Sequence, residues 1–171
     1  MPNDAAYHPL VKFLHWSTVP LVVAQFGFAF AMSDGSQHRL PDRAGILHIS
    51  TGVLILAVTL VRLACRIRFP LEVANSSAES WQQHCARATH LLIYGLLVAL
   101  PLSGMLSAYL GTMFVADAHA SAAVILLSLL AVHLLAASYH MFVRADGVVE
   151  RMMPEWLNRV RDHKPTGSPR S

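Results

Sequence analysis

Residues 118–143 read AHASAAVILLSLLAVHLLAASYHMFV, a stretch with no acidic or basic side chain other than histidine. At ~1.5 Å of rise per residue, a helix of this length crosses a hydrocarbon core of about 30 Å. Three histidines punctuate it: His119, His133 and His140. Fourteen residues separate the first two. At ~100° per residue that is close to a whole number of turns, so both face one side, ~21 Å apart along the axis. His140, seven residues further on, continues the same stripe.

Working outward, three more runs share this character: 13–32, 45–65 and 88–110. Each is long enough to span a membrane. The 171 residues are 54% hydrophobic and 13% charged, where soluble domains carry about 25% charged residues. A chain so poor in charge cannot clothe a globule in water, but it can form a bundle whose outer face meets lipid. The sequence therefore predicts an all-α, four-helix transmembrane bundle over residues 1–154 and a basic cytoplasmic tail over 155–171. Turn chemistry separates the runs: Ser33-Asp34-Gly35-Ser36 and Leu40-Pro41-Asp42, then Pro70 and Asn75-Ser76-Ser77, then a short loop from Gly111 to Asp117. Pro101 is expected to kink the third span. Ala29-Phe30-Ala31 resembles a peptidase site. Its flank holds only Lys12, however, so the run reads as a retained span.

The net charge of +3 is explained by topology. Lys12, Arg62, Arg66, Arg68, Arg87, Arg144, Arg151, Arg159, Arg161, Lys164 and Arg170 flank one side of the runs, and only Arg39 and Arg43 the other. Basic residues accumulate on the cytoplasmic side, which places both termini there. No aromatic-basic interleaving or DNA-binding motif is present, which excludes a nucleic-acid partner. Cys65 and Cys85 form neither a zinc pattern nor a C-x-x-C-H motif, so covalent c-type haem attachment is excluded and both read as reduced thiols.

Six of the ten histidines fall in or beside the runs: His15, His48, His90, His119, His133 and His140. A lone histidine in a span is explained by helix–helix hydrogen bonding. Six distributed over four spans point to function, because ionisable groups at membrane depth are costly. A buried b-type haem takes two axial imidazoles from facing helices at matched depth. His48 and His119 lie level near the outer end and form one such pair. At the inner end, His140 would put the two irons ~31 Å apart, too far for efficient hopping, so His133 is the ligand from the fourth span. Depth alone does not choose between His15 and His90 as its partner. Gly27, Gly52, Gly95 and Gly104 permit close packing or leave room for a macrocycle. Arg39 and Arg43 near the outer pair, and Arg62 and Arg66 near the inner one, are candidates to pair with haem propionates.

Several stretches together carry a resemblance: Phe13-Leu14-His15-Trp16, Ile46-Leu47-His48-Ile49-Ser50-Thr51-Gly52, Leu60-Val61-Arg62-Leu63, His90-Leu91-Leu92-Ile93-Tyr94, Ala99-Leu100-Pro101-Leu102-Ser103-Gly104, the histidine stripe, and Arg151-Met152-Met153-Pro154. From about Tyr7 to Pro154 the chain resembles the prokaryotic di-haem cytochrome b561 family, including its superoxide:ubiquinone oxidoreductase members. The resemblance implies two non-covalent haems b in a bacterial inner membrane, the inner held by His15 and His133 and the outer by His48 and His119. His90 and His140 then become quinone-site candidates beside the inner haem, together with Arg62. The loop at Gly111 to Asp117 departs from the family by lacking a longer aromatic-containing insert.

The role implied is transfer of electrons across the membrane to ubiquinone, with superoxide or a redox protein as outer donor. Superoxide would be drawn by positive charge, which His38, Arg39 and Arg43 supply. A second role uses the same layout: a haem b anchor subunit between quinone and a dehydrogenase or hydrogenase. A second copy of the chain, as a homodimer, is a further partner the bundle could accept. A transporter or metal-binding bundle fits less well, because the spans lack acidic residues.

Overall fold

The computed structural model describes residues 7–32, 43–68 and 80–153. Pro9 opens the first helix at a position where its missing N–H costs nothing. The ring Nδ1 of His8 accepts the Leu10 N–H at 3.3 Å. Helix α1 runs Pro9–Ala31, α2 Arg43–Arg68, α3 Ser80–Leu110 and α4 Met113–Tyr139. A π-helical segment, His140–Arg144, continues α4, and a short 3-10 turn, Glu150–Met152, follows. All four long helices are long and apolar enough to cross a membrane. The helices extend beyond the apolar runs at several ends, most at α3, where Ser80 to Arg87 adds a polar first two turns. The final connection is also shorter than expected. Only Gly111, at φ 62°, and the N-cap Thr112 separate α3 from α4, and Asp117 lies inside α4.

The surface is that of a membrane protein. Phe13, Val23, Phe30, Ile67, Leu91, Phe114, Val124, Leu134 and Phe142 are exposed. With no water in a bilayer core, polar groups must be satisfied internally. Several hydroxyls in the spans accordingly donate to carbonyls of their own helix: Thr18 to Leu14, Ser50 to Ile46, Ser128 to Val124 and Ser138 to Leu134.

Helices α1 and α2 pack together, as do α2 and α3, and α3 and α4. The bundle has layers. At its middle, Ile55, Ile93, Leu97, Leu100 and Leu126 form an apolar core joined by Leu21 and Val22. A second cluster, Val11, Leu14 and Cys65 with Tyr7, Val58 and Met152, closes the end where α1 begins. There the Trp16 indole N–H donates to the Met152 carbonyl at 2.9 Å, tying the segment after α4 to α1. Cys65 is buried and Cys85 exposed, both free.

Candidate functional site: two histidine layers

The histidines lie in two layers, one on each side of the apolar middle. On α4, Leu126 stands seven residues from both His119 and His133; on α2, Ile55 stands seven from both His48 and Arg62. Residues spaced by sevens share a helix face, so each helix presents polar, apolar and polar groups in turn to the bundle interior.

In the layer near the α3–α4 turn, the rings of His48 and His119 face each other with centroids 6.3 Å apart and planes at 77°. Metal–imidazole bonds are about 2 Å long, so two imidazoles on one metal have centres roughly 6 Å apart once the ring radii are added. Each ring is held from behind. His48 donates Nδ1–H to the Gln25 carbonyl at 3.2 Å. A carbonyl can only accept, so Nε2 of His48 is the bare nitrogen, and it receives the Gln25 side-chain amide at 3.1 Å. His119 Nδ1 meets the Ser103 hydroxyl at 3.0 Å. Gly104 lies beneath the ring: a Cβ there would sit 3.1 Å from His119 Cε1.

In the other layer, His133 has His90 beside it with ring centroids 5.2 Å apart. His90 donates Nδ1–H to the Ala86 carbonyl at 2.7 Å. His15 is bound differently. Its Nδ1 accepts from Arg62 Nη2 at 2.9 Å, while Nη1 donates to Thr18 Oγ1 at 3.1 Å. The guanidinium lies over the Tyr94 ring, 5.2 Å from its centroid. Arg62 is only 8% exposed. It has no acidic partner among the described residues, and its Nε–H has no acceptor there.

His140 stands apart. It donates Nδ1–H to Asp146 Oδ2 at 2.7 Å, and Asp146 Oδ1 accepts the Val148 N–H at 3.3 Å. The structure therefore brings His48 to His119, His90 to His133, His15 to Arg62 and His140 to Asp146. Arg43 opens α2, exposed, at the end carrying His48. Arg39, His38 and the tail from Pro154 lie outside the described residues. Gln25, Ser103 and Tyr94 are site residues that histidine spacing alone does not reveal. The signal for Gln25 was available in its being a lone amide within an apolar run.

The donor set suits a metal inside a macrocycle. Among the described residues no three histidines, cysteines or carboxylates converge as a protein-only metal site requires. Paired imidazoles, by contrast, supply the two axial positions a haem iron leaves open. The unpartnered Arg62 Nε–H and Gln25 Oε1 border these pairs.

The comparisons agree with this donor set. The profile of the family described as prokaryotic cytochrome b561 matches residues 6–155. The chain is 30% identical over 159 residues to cytochrome b562 of Cereibacter sphaeroides, covering 90% of this chain and 98% of that protein. It is 31% identical over 97 residues to cytochrome b561 homolog 2 of Escherichia coli strain K12, covering 54% of this chain and 50% of that one. A match running from before α1 to beyond the turn that follows α4, on a bundle of four spans with histidines paired across it, places the chain in the prokaryotic cytochrome b561 family of haem b electron-transfer membrane proteins.

Proposed function

We propose that the protein carries two haems b and passes electrons across the bacterial inner membrane to ubiquinone, with both termini cytoplasmic. His48 and His119 are the axial ligands of the outer haem, and His15 and His133 those of the inner. The observation that carries this reading is the pair of histidine layers, ~21 Å apart on α4, with the Leu126 layer between them. The haem supplies one-electron chemistry; the protein's part is to place it and tune its potential.

His15 is preferred to His90 on packing grounds. Helices α3 and α4 lie along each other, so a ring between His90 and His133 would force a packed pair apart. Arg62 can donate only, so the neutral His15 ring now carries its proton on Nε2. Iron ligation at that atom requires Arg62 to release Nδ1, and a haem propionate is an acceptor for the freed N–H and for the buried Nε–H, which has none among the described residues. At the outer site the Gln25 amide likewise gives up His48 Nε2. Arg39 and Arg43 are proposed for the outer propionates.

The quinone site is assigned to His90, His140 and Arg62 at the cytoplasmic end. Ubiquinone reduction consumes protons, and the His140–Asp146 pair lies where protons enter from the cytoplasm. Superoxide is the proposed outer donor, and oxidation of superoxide to dioxygen the outer reaction. The alternative, an anchor subunit serving a dehydrogenase or hydrogenase, shares the haem layout; a partner that co-purifies and is needed for turnover distinguishes it.

The test is a reduced-minus-oxidised spectrum with pyridine haemochrome quantification on the purified chain. Two haems b are expected. His48→Ala or His119→Ala removes one, and His15→Ala or His133→Ala the other. Loss of the inner haem in His90→Ala but not in His15→Ala would overturn the inner pair, and absence of any haem band the whole reading.

A further inference from the structure

A neutral imidazole binds iron only through its unprotonated nitrogen, so something must decide which nitrogen that is. For His119 the deciding group lies on the neighbouring helix. The Ser103 hydroxyl has one proton, and it goes to the Leu100 carbonyl at 3.0 Å. With that proton on Leu100, its oxygen, 3.0 Å from His119 Nδ1, is the acceptor and His119 the donor. Nδ1 carries the proton and Nε2 is bare. The chain of bonds runs from His119 Nδ1–H to Ser103 Oγ and from Ser103 O–H to Leu100 O. It ends on a backbone acceptor.

The position of the hydroxyl is itself determined by packing. Gly104, the next residue, offers no side chain where the His119 ring lies, so the ring rests on α3 beside Ser103. Leu100 belongs to the apolar core layer, which anchors the far end of the relay.

We infer that Ser103 is a positioning residue for the outer haem, fixing the tautomer and raising the basicity of His119 through this relay. It rests on the reading of His119 as an axial ligand. Hydrogen-bonded partners behind metal-bound imidazoles typically contribute 10–100-fold to metal affinity, and a ligand made more basic favours the ferric state.

Ser103→Val and Ser103→Thr test this, being nearly isosteric and differing in the hydroxyl. In full-length protein, potentiometric titration should show one haem, the one lost in His119→Ala, with a raised midpoint potential in Ser103→Val. The other haem keeps its potential. Haem affinity at the affected site should fall about 10-fold, read by haemin titration. Ser103→Thr should restore both. Equal behaviour of the Val and Thr variants, or a shift of both haems together, would mean that Ser103 acts by packing alone and would overturn the inference while leaving the two-haem reading intact. Retention of both haems in His119→Ala would instead remove the reading on which it stands.

Discussion

A methyl group at position 104 would press on His119 Cε1 at 3.1 Å, closer than the ring accepts without moving. Gly104→Ala is expected to displace the ring by a few tenths of an ångström. The stability cost should be about 1 kcal/mol, the low end of overpacking. Haem loss from one site on dilution, with the other unaffected, checks it. Asp146 makes a second prediction at this scale. Burial alone would raise its carboxyl, but the His140 and Val148 hydrogen bonds and the nearby His140 and Arg144 charges hold it below its ordinary value. The depressed value means that the carboxylate form favours the fold. Its contribution is present above the ordinary carboxylate value of 3.8 and lost as pH falls through the lower folded value. Proteolysis of the segment after α4 should therefore rise on acidification below about pH 4, and Asp146→Asn should abolish that dependence.

At the scale of elements, the segment following α4 is tied to α1 by the bond from Trp16 to the Met152 carbonyl. Trp16→Phe keeps most of the ring and removes the donor. It should cost about 1 kcal/mol and increase cleavage between 145 and 153, leaving the haem spectrum unchanged. Leu126, 3% exposed at the centre of the middle layer, tests how helices cohere in lipid. Lipid is as apolar as leucine, so Leu126→Ala loses packing but little transfer energy. Its destabilisation in detergent should fall below the about 2–5 kcal/mol typical of water-soluble cores. Both features bear on legibility. The spacings 119/126/133 and 48/55/62 were readable as helix faces, since 3.6 residues per turn fixes which side chains align. The Trp16–Met152 bond was not, because it joins residues far apart in sequence through a carbonyl with no sequence signature.

For the whole molecule, the proposed orientation puts Cys85, exposed near the start of α3, on the cytoplasmic side and Cys65 inside the bundle. A membrane-impermeant maleimide should label inverted vesicles but not intact spheroplasts, and Cys85→Ser should abolish the signal. Labelling of spheroplasts would reverse the topology. The four spans and their histidines were determined by the sequence alone. Lipid demands long apolar helices with internally bonded backbones, and that demand is written into composition and length. Depth along each helix was equally determined, because rise per residue is constant. Which side chains meet across the bundle was decided only by tertiary packing. Depth left His15 and His90 equivalent, whereas the fold sets His90 against His133, binds His15 to Arg62, and gives His140 to Asp146. The supports behind the outer pair, Gln25 and Ser103 with Gly104, belong to that second class. A hydrogen bond between helices depends on their relative rotation and separation, which no periodicity within one helix encodes.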